Sequence, residues 1–155
     1  MTGGSPPGAP ARVLTVRRTF ACPREEVFKA WTDPDALVTW FGGAVGKTLS
    51  AAVDLRVGGA YRLMMQSGAE VGAVEGVYRD VQPPKRLVYT WRWDRTDIDG
   101  GRESLVAVEF HDRDGATEVV ITHGGLDTEA SWAFHERGWT ASLDRLEQVL
   151  PLTAL

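Results

Sequence analysis

The chain has 155 residues, a net charge of −4, 43% hydrophobic residues and 25% charged residues. One domain is the natural size for this length, since such a chain buries roughly 70% of the surface that its unfolded form exposes and needs no metal or disulfide staple. The acidic balance, with no clustered Lys and Arg, excludes nucleic acid as the main partner.

Residues 1–10 are rich in Gly and Pro, with neither a basic start nor an apolar run. They read as a disordered tail ahead of a single domain over residues 11–155, and not as a signal peptide or membrane anchor. Arg12–Phe20 mixes β-branched and apolar residues in partial alternation and reads as a first strand. Cys22 is the only cysteine, which rules out an internal disulfide and fits a reducing cytoplasm. Pro23 is placed at the first position of a short helix whose Val27, Phe28 and Trp31 share a face. Asp33-Pro34 restarts the pattern as a cap and first-position pair, so a second short helix runs to about Phe41.

From Lys47 the hydrophobic period changes to two, and turn signals recur at Gly58-Gly59, Ser67-Gly68, Pro83-Pro84, Asp99-Gly100-Gly101 and Asp114-Gly115. They delimit strands over about 48–57, 60–66, 71–80, 86–93, 103–111 and 117–123. Gly58-Gly59 predicts a two-residue hairpin with Gly59 at positive φ. Connections this short make the neighbours antiparallel, hence a meander. After Gly124-Gly125, Asp127 is expected to cap a helix that runs to about Leu150 and is stopped by Pro151. Trp132, His135, Trp139, Leu143, Leu146 and Leu150 fall on one stripe of it. The fold class is therefore α+β of the helix-grip kind: a curved antiparallel sheet of about seven strands around a long C-terminal helix, with two short helices after the first strand.

Several segments, in this order, resemble one known family. They are Arg18–Pro23 with Val27 and Trp31, Thr32-Asp33-Pro34 leading to Trp40-Phe41, Asp54–Gly59 with Tyr61, Gly76-Val77-Tyr78, Pro83–Leu87 with Thr90-Trp91, Thr117–His123, and His135–Trp139 with Leu143 and Leu146. The resemblance is to the activator-of-Hsp90-ATPase-like family of the START/birch-pollen-allergen-like (SRPBCC) superfamily, over about residues 12 to 150. It implies the helix-grip fold and a cavity between sheet and helix. The family name implies a second possibility, a module that binds an Hsp90-type chaperone and stimulates its ATPase. Cyclases and hydrolase-like members of the superfamily imply a third, an enzyme.

The aromatic set carries the functional signal. Tyr61, Leu63 and Met65 alternate on one strand, Tyr89, Trp91 and Trp93 on another, and Val106, Val108 and Phe110 on a third, with Trp132 and Trp139 opposite on the helix. In a strongly curved sheet these residues enclose more volume than they fill, and a ligand cavity results. The expected lining is Trp40, Tyr61, Leu63, Met65, Tyr89, Trp91, Val108, Phe110, Trp132 and Trp139, with Glu75, His123 or His135 as a polar anchor. The glycine-rich loop Phe41–Thr48 is expected to form the mouth.

Other chemistries fit less well. Gly42–Thr48 approaches a phosphate-loop spacing one residue short, but it follows a helix and opens a strand, the reverse of the required order. His135-Glu136 lacks the second histidine, four residues on, that a zinc-protease helix needs. Cys22 has no histidine beside it in sequence, and reads as a small buried hydrophobe. No catalytic residue, metal ligand or cofactor is assigned. The leading expectation is non-catalytic binding of a small hydrophobic or aromatic molecule by a cytoplasmic monomer or homodimer, the latter through a second helix strip of Phe134, Gly138 and Ala141. Membrane and nucleic acid are not expected partners.

Overall fold

The computed structural model describes residues 12–42 and 46–152. The expected tail and residues 43–45 of the expected mouth loop lie outside the described residues. Strand β1 (Arg12–Phe20) is followed by helices α1 (Arg24–Thr32) and α2 (Pro34–Trp40). Six strands then run as β2 (Lys47–Val53), β3 (Ala60–Ser67), β4 (Glu70–Gln82), β5 (Arg86–Trp93), β6 (Ser104–Arg113) and β7 (Ala116–Leu126), before helix α3 (Glu129–Val149). The sheet order is β1-β7-β6-β5-β4-β3-β2, with every described neighbour pair antiparallel. This is the helix-grip α+β architecture expected from the sequence.

The helix boundaries follow local chemistry. Asp33 caps α2, its carboxylate accepting from the Asp35 N–H, and Pro34 takes the first helical position. Pro23 is the cap of α1 itself, so the helix starts one residue later than expected. At α3 the cap is Thr128, whose hydroxyl oxygen accepts from the Ser131 N–H at 3.0 Å. The expected cap, Asp127, instead pairs with Arg102 at 2.8 Å across the β5–β6 connection. Ser131, His135, Trp139, Ser142, Leu143 and Leu146 form the buried face of α3, while Trp132 and Leu150 at the margins of the expected stripe are half-buried.

The β2–β3 connection differs from the expected hairpin. Pairing stops at Val53↔Tyr61, so the connection spans Asp54–Gly59 rather than two residues. Gly58 takes the positive φ, 86°, and Gly59 does not. Gly59 is needed for a different reason: a Cβ there would lie 2.1 Å from the Asp54 carbonyl oxygen. The close approach arises because Gly58 and Gly59 also bond to Tyr78 of β4, folding the loop onto the sheet. Gly59→Ala should therefore lose about 1–3 kcal/mol in a urea titration, as overpacking does. Unchanged stability would refute this tight loop geometry.

The core lies between the concave face of the sheet and the three helices. Phe28 and Trp31 of α1 meet Phe110 edge-on, with centroids 5.3 and 5.5 Å away. Trp40 tucks beneath α1, its indole N–H donating to the Ala30 carbonyl at 2.9 Å. The mass of rings under α1 and α2 fills that end of the sheet. The other end, under the first turns of α3, is not filled.

Candidate functional site

A cavity of about 420 Å³ opens between α3 and the β3–β5 part of the sheet. Its sheet wall is Met65, Gln66 and Ser67 of β3, Glu70 and Gly72 of β4, and Trp91 and Trp93 of β5. The helix wall is Phe134, His135, Arg137, Gly138, Trp139 and Ser142. Phe41, Gly42 and Gly46 close one end, and Arg95, Asp97 and Ile98 of the β5–β6 connection border the other. Strand alternation explains the sheet wall: Met65, Trp91 and Trp93 occupy inward positions of their strands, so their side chains point to α3. Helical spacing explains the rest, because Phe134, Gly138 and Ser142 recur at i+4 beside His135 and Trp139.

Trp91 is the centre of the wall. Its ring lies 5.3 Å from Trp139, 5.8 Å from Trp93, 5.9 Å from Phe41 and 5.3 Å from His123, centroid to centroid. Its indole N–H is buried and has no hydrogen-bond partner among the described residues. The other five tryptophans donate theirs: Trp31 to the Tyr89 hydroxyl, Trp40 to Ala30, Trp93 to His135, Trp132 to Val13 and Trp139 to His123.

Two of those bonds fix the protonation of a buried histidine pair whose rings are 4.8 Å apart. An indole N–H only donates, so the imidazole nitrogen that receives it is unprotonated. His123 accepts from Trp139 at Nδ1 (3.1 Å) and donates from Nε2 to the Ser104 hydroxyl (2.8 Å), which donates onward to the Trp91 carbonyl. His135 accepts from Trp93 at Nε2 (3.2 Å) and donates from Nδ1 to the Ser131 carbonyl (2.8 Å). Burial holds His123 well below the ordinary histidine range, and the neighbouring His135 adds to this. Burial lowers His135 as well, opposed by its bond to Ser131 and by Asp99, whose carboxylate stands 3.7 Å away. Both rings are neutral, and they form a polar seam behind an apolar wall.

Four of the thirteen residues expected around the ligand line this cavity: Met65, Trp91, His135 and Trp139. His123 stands directly behind them. Tyr61, Leu63 and Tyr89 surround a separate void of only about 20 Å³, room for roughly one water molecule. Val108, Phe110 and Trp40 are packed in the core under α1 and α2. Glu75 points away from the cavity and pairs with Arg62 and Arg92 across both neighbouring strands, so it is not an anchor there. Trp132 leans over β1 instead, its N–H on the Val13 carbonyl at 3.2 Å.

Phe41, Gly42 and Gly46 belong to the expected mouth segment, while the lining residues missed by sequence reasoning are chiefly Trp93, Ile98, Phe134, Arg137 and Ser142. Trp93 had a signal, since it continues the alternation of Tyr89 and Trp91. Phe134 and Gly138 were legible as a strip but were read as a surface for a second copy, and they border the cavity. Ile98 sits in a connection with no period, which gave nothing to read.

The remaining candidates resolve simply. His111 pairs with Glu109 on β6, away from the other two histidines. Cys22 is buried, and burial reinforced by Glu26 pushes its thiol up, which makes it a poor nucleophile. Among the described residues no group of three His, Cys, Asp or Glu is placed to hold a metal ion, and no helix is long and apolar enough to cross a membrane.

The sequence profile of the activator of Hsp90 ATPase homolog 1-like proteins matches residues 21–151. The chain belongs to that family. Solved relatives of this activator-like family share the architecture. The AHSA1 protein from Silicibacter pomeroyi is 29% identical, covers 92% of this chain and 99% of its own, and has a TM-score of 0.79. An AHSA1-like protein from Aeromonas hydrophila is 26% identical over 92% of this chain and 94% of its own, with a TM-score of 0.74. A protein from Rhizobium leguminosarum is 28% identical over 88% and 92%, with the same score of 0.74. No curated protein matches the chain.

Proposed function

We propose that this activator-family member binds a small hydrophobic or aromatic molecule in the cavity under α3, without chemical conversion. The observation that carries the reading is the cavity itself. At about 420 Å³ it falls within the range of small-molecule sites, and its walls are mostly Phe41, Met65, Trp91, Trp93, Ile98, Phe134 and Trp139. Three tryptophans in the wall supply both the apolar area and the optical probe. A screen of fatty acids, sterols and polycyclic aromatics should find compounds that quench tryptophan fluorescence and raise the melting temperature. Ligand at a hundred times its Kd adds about 2.7 kcal/mol by mass action. Native mass spectrometry of the purified protein should show the same molecule carried along. If no member of the panel changes either signal, the reading fails.

The family description supports a second reading, a partner surface for an Hsp90-type chaperone. The two readings separate in one assay: stimulation of a chaperone's ATPase by the protein, unaffected by the cavity substitution Gly138→Leu, supports the second and not the first.

A further inference from the structure

Most polar side chains of the cavity wall already have partners: Gln66 donates to the Gly68 carbonyl, and Ser142 accepts from the Gly42 N–H. Trp93 and Trp139 donate to the histidine pair, which uses the two acceptor nitrogens of those rings. Arg95 at the rim is committed to Glu70 and Asp97, one cation between two carboxylates. Two donors in the wall remain without an acceptor among the described residues: the buried indole N–H of Trp91 and the guanidinium of Arg137. Arg137 stands one residue before Gly138 and three after Phe134 on the cavity side of α3, and it is exposed, so its charge sits at the mouth.

We infer that the ligand is an apolar acid, a ring system or chain bearing one carboxylate. This rests on the binding reading above and adds the chemistry of one end. The apolar body lies against Phe41, Trp91 and Trp139, and the carboxylate meets Arg137. A guanidinium offers paired N–H donors that match a carboxylate's two oxygens. Placed at the mouth, the charge keeps part of its hydration, so the desolvation penalty of a fully buried ion pair is avoided. An amine of the same shape cannot accept from Arg137, and the charge that Arg95 leaves over on Glu70 and Asp97 attracts it instead, so the comparison that isolates Arg137 is acid against neutral partner.

The test uses two matched series on the intact protein: 1-naphthaleneacetate, its methyl ester and 1-naphthylethylamine, then dodecanoate, dodecanol and dodecylamine. Affinities come from tryptophan quenching at low and at high salt. The acid should bind about tenfold more tightly than its neutral counterpart at low salt, the size expected of a hydrogen bond to a charged group. Added salt should shrink the preference. In Arg137→Gln the preference should disappear, with the melting temperature unchanged. Equal binding of acid and neutral partner, or a preference that survives Arg137→Gln, overturns this inference and leaves apolar binding standing. Absence of binding by every compound in both series overturns the binding reading and this inference with it.

Discussion

Trp139→Ala should lose about 3–5 kcal/mol of folding stability, the range of a large ring removed from a packed interior. Trp139 is 3% exposed and contacts Trp91 at 5.3 Å and Phe41 at 5.9 Å. Its loss removes the ring that stands between the cavity and His123, and leaves His123 Nδ1 without its donor. Those two costs can be separated. Trp139→Phe retains most of the apolar area and loses only the N–H, so its cost should fall to about 1–3 kcal/mol, that of one unsatisfied buried acceptor. Urea denaturation of the three proteins measures both. An alanine variant with an unchanged midpoint would mean that α3 does not grip the sheet through this residue.

The second large effect is on acid stability. Both imidazoles of the His123–His135 pair are neutral in the fold and held below their ordinary value, by burial first. The unfolded chain titrates them near 6.5, so below that pH it binds more protons than the native state does. Stability is therefore fully present above about pH 6.5. It falls as the pH drops, by about 1.4 kcal/mol per pH unit for each ring that stays neutral, until the folded value of that ring is reached. Asp99 faces His135 and moderates its share, while Ser104, Trp91 and Trp139 around His123 carry no charge. Denaturation from pH 7.5 to 5 should give this slope. Nitrogen-edited NMR at pH 7.5 should show His123 protonated at Nε2 and His135 at Nδ1. Either ring charging at or above 6.5 in the folded protein would refute the assignment.

The fold was legible because its signals are local. Period-two alternation, glycine and proline punctuation and the Asp33-Pro34 pair each act within a few residues, and they placed seven strands and three helices in order. Where the reading went wrong, a distant contact had decided the local geometry. Gly59 is shaped by Tyr78 on another strand, and Asp127 is drawn away from the cap position by Arg102. The site was harder for the same reason. Periodicity told which face of β3 and β5 is inward, but not which part of a curved sheet α3 would cover. That left Tyr61, Leu63 and Phe110 indistinguishable in sequence from Met65, Trp91 and Trp93, although only the second set borders the open space. Glu75 failed as an anchor because its cross-strand arginines, Arg62 and Arg92, become neighbours only once the sheet is assembled.

Helix α3 is fastened to β1 near both of its ends. Near its start Trp132 is fastened to the backbone of β1, and near its end Asp144 and Glu147 are fastened to Arg18 on the same strand. The cavity lies toward the opposite margin, against β3, β4 and the connection that carries Ile98. A molecule bound there, as proposed, would arrive and depart without unseating the helix. Its residence time would then be set by rotation of side chains such as Phe41 and Phe134, on timescales far shorter than local unfolding. Amide exchange along the β1-facing side of α3 should stay slow whether the guest turns over quickly or not, a separation between a durable scaffold and a fast doorway.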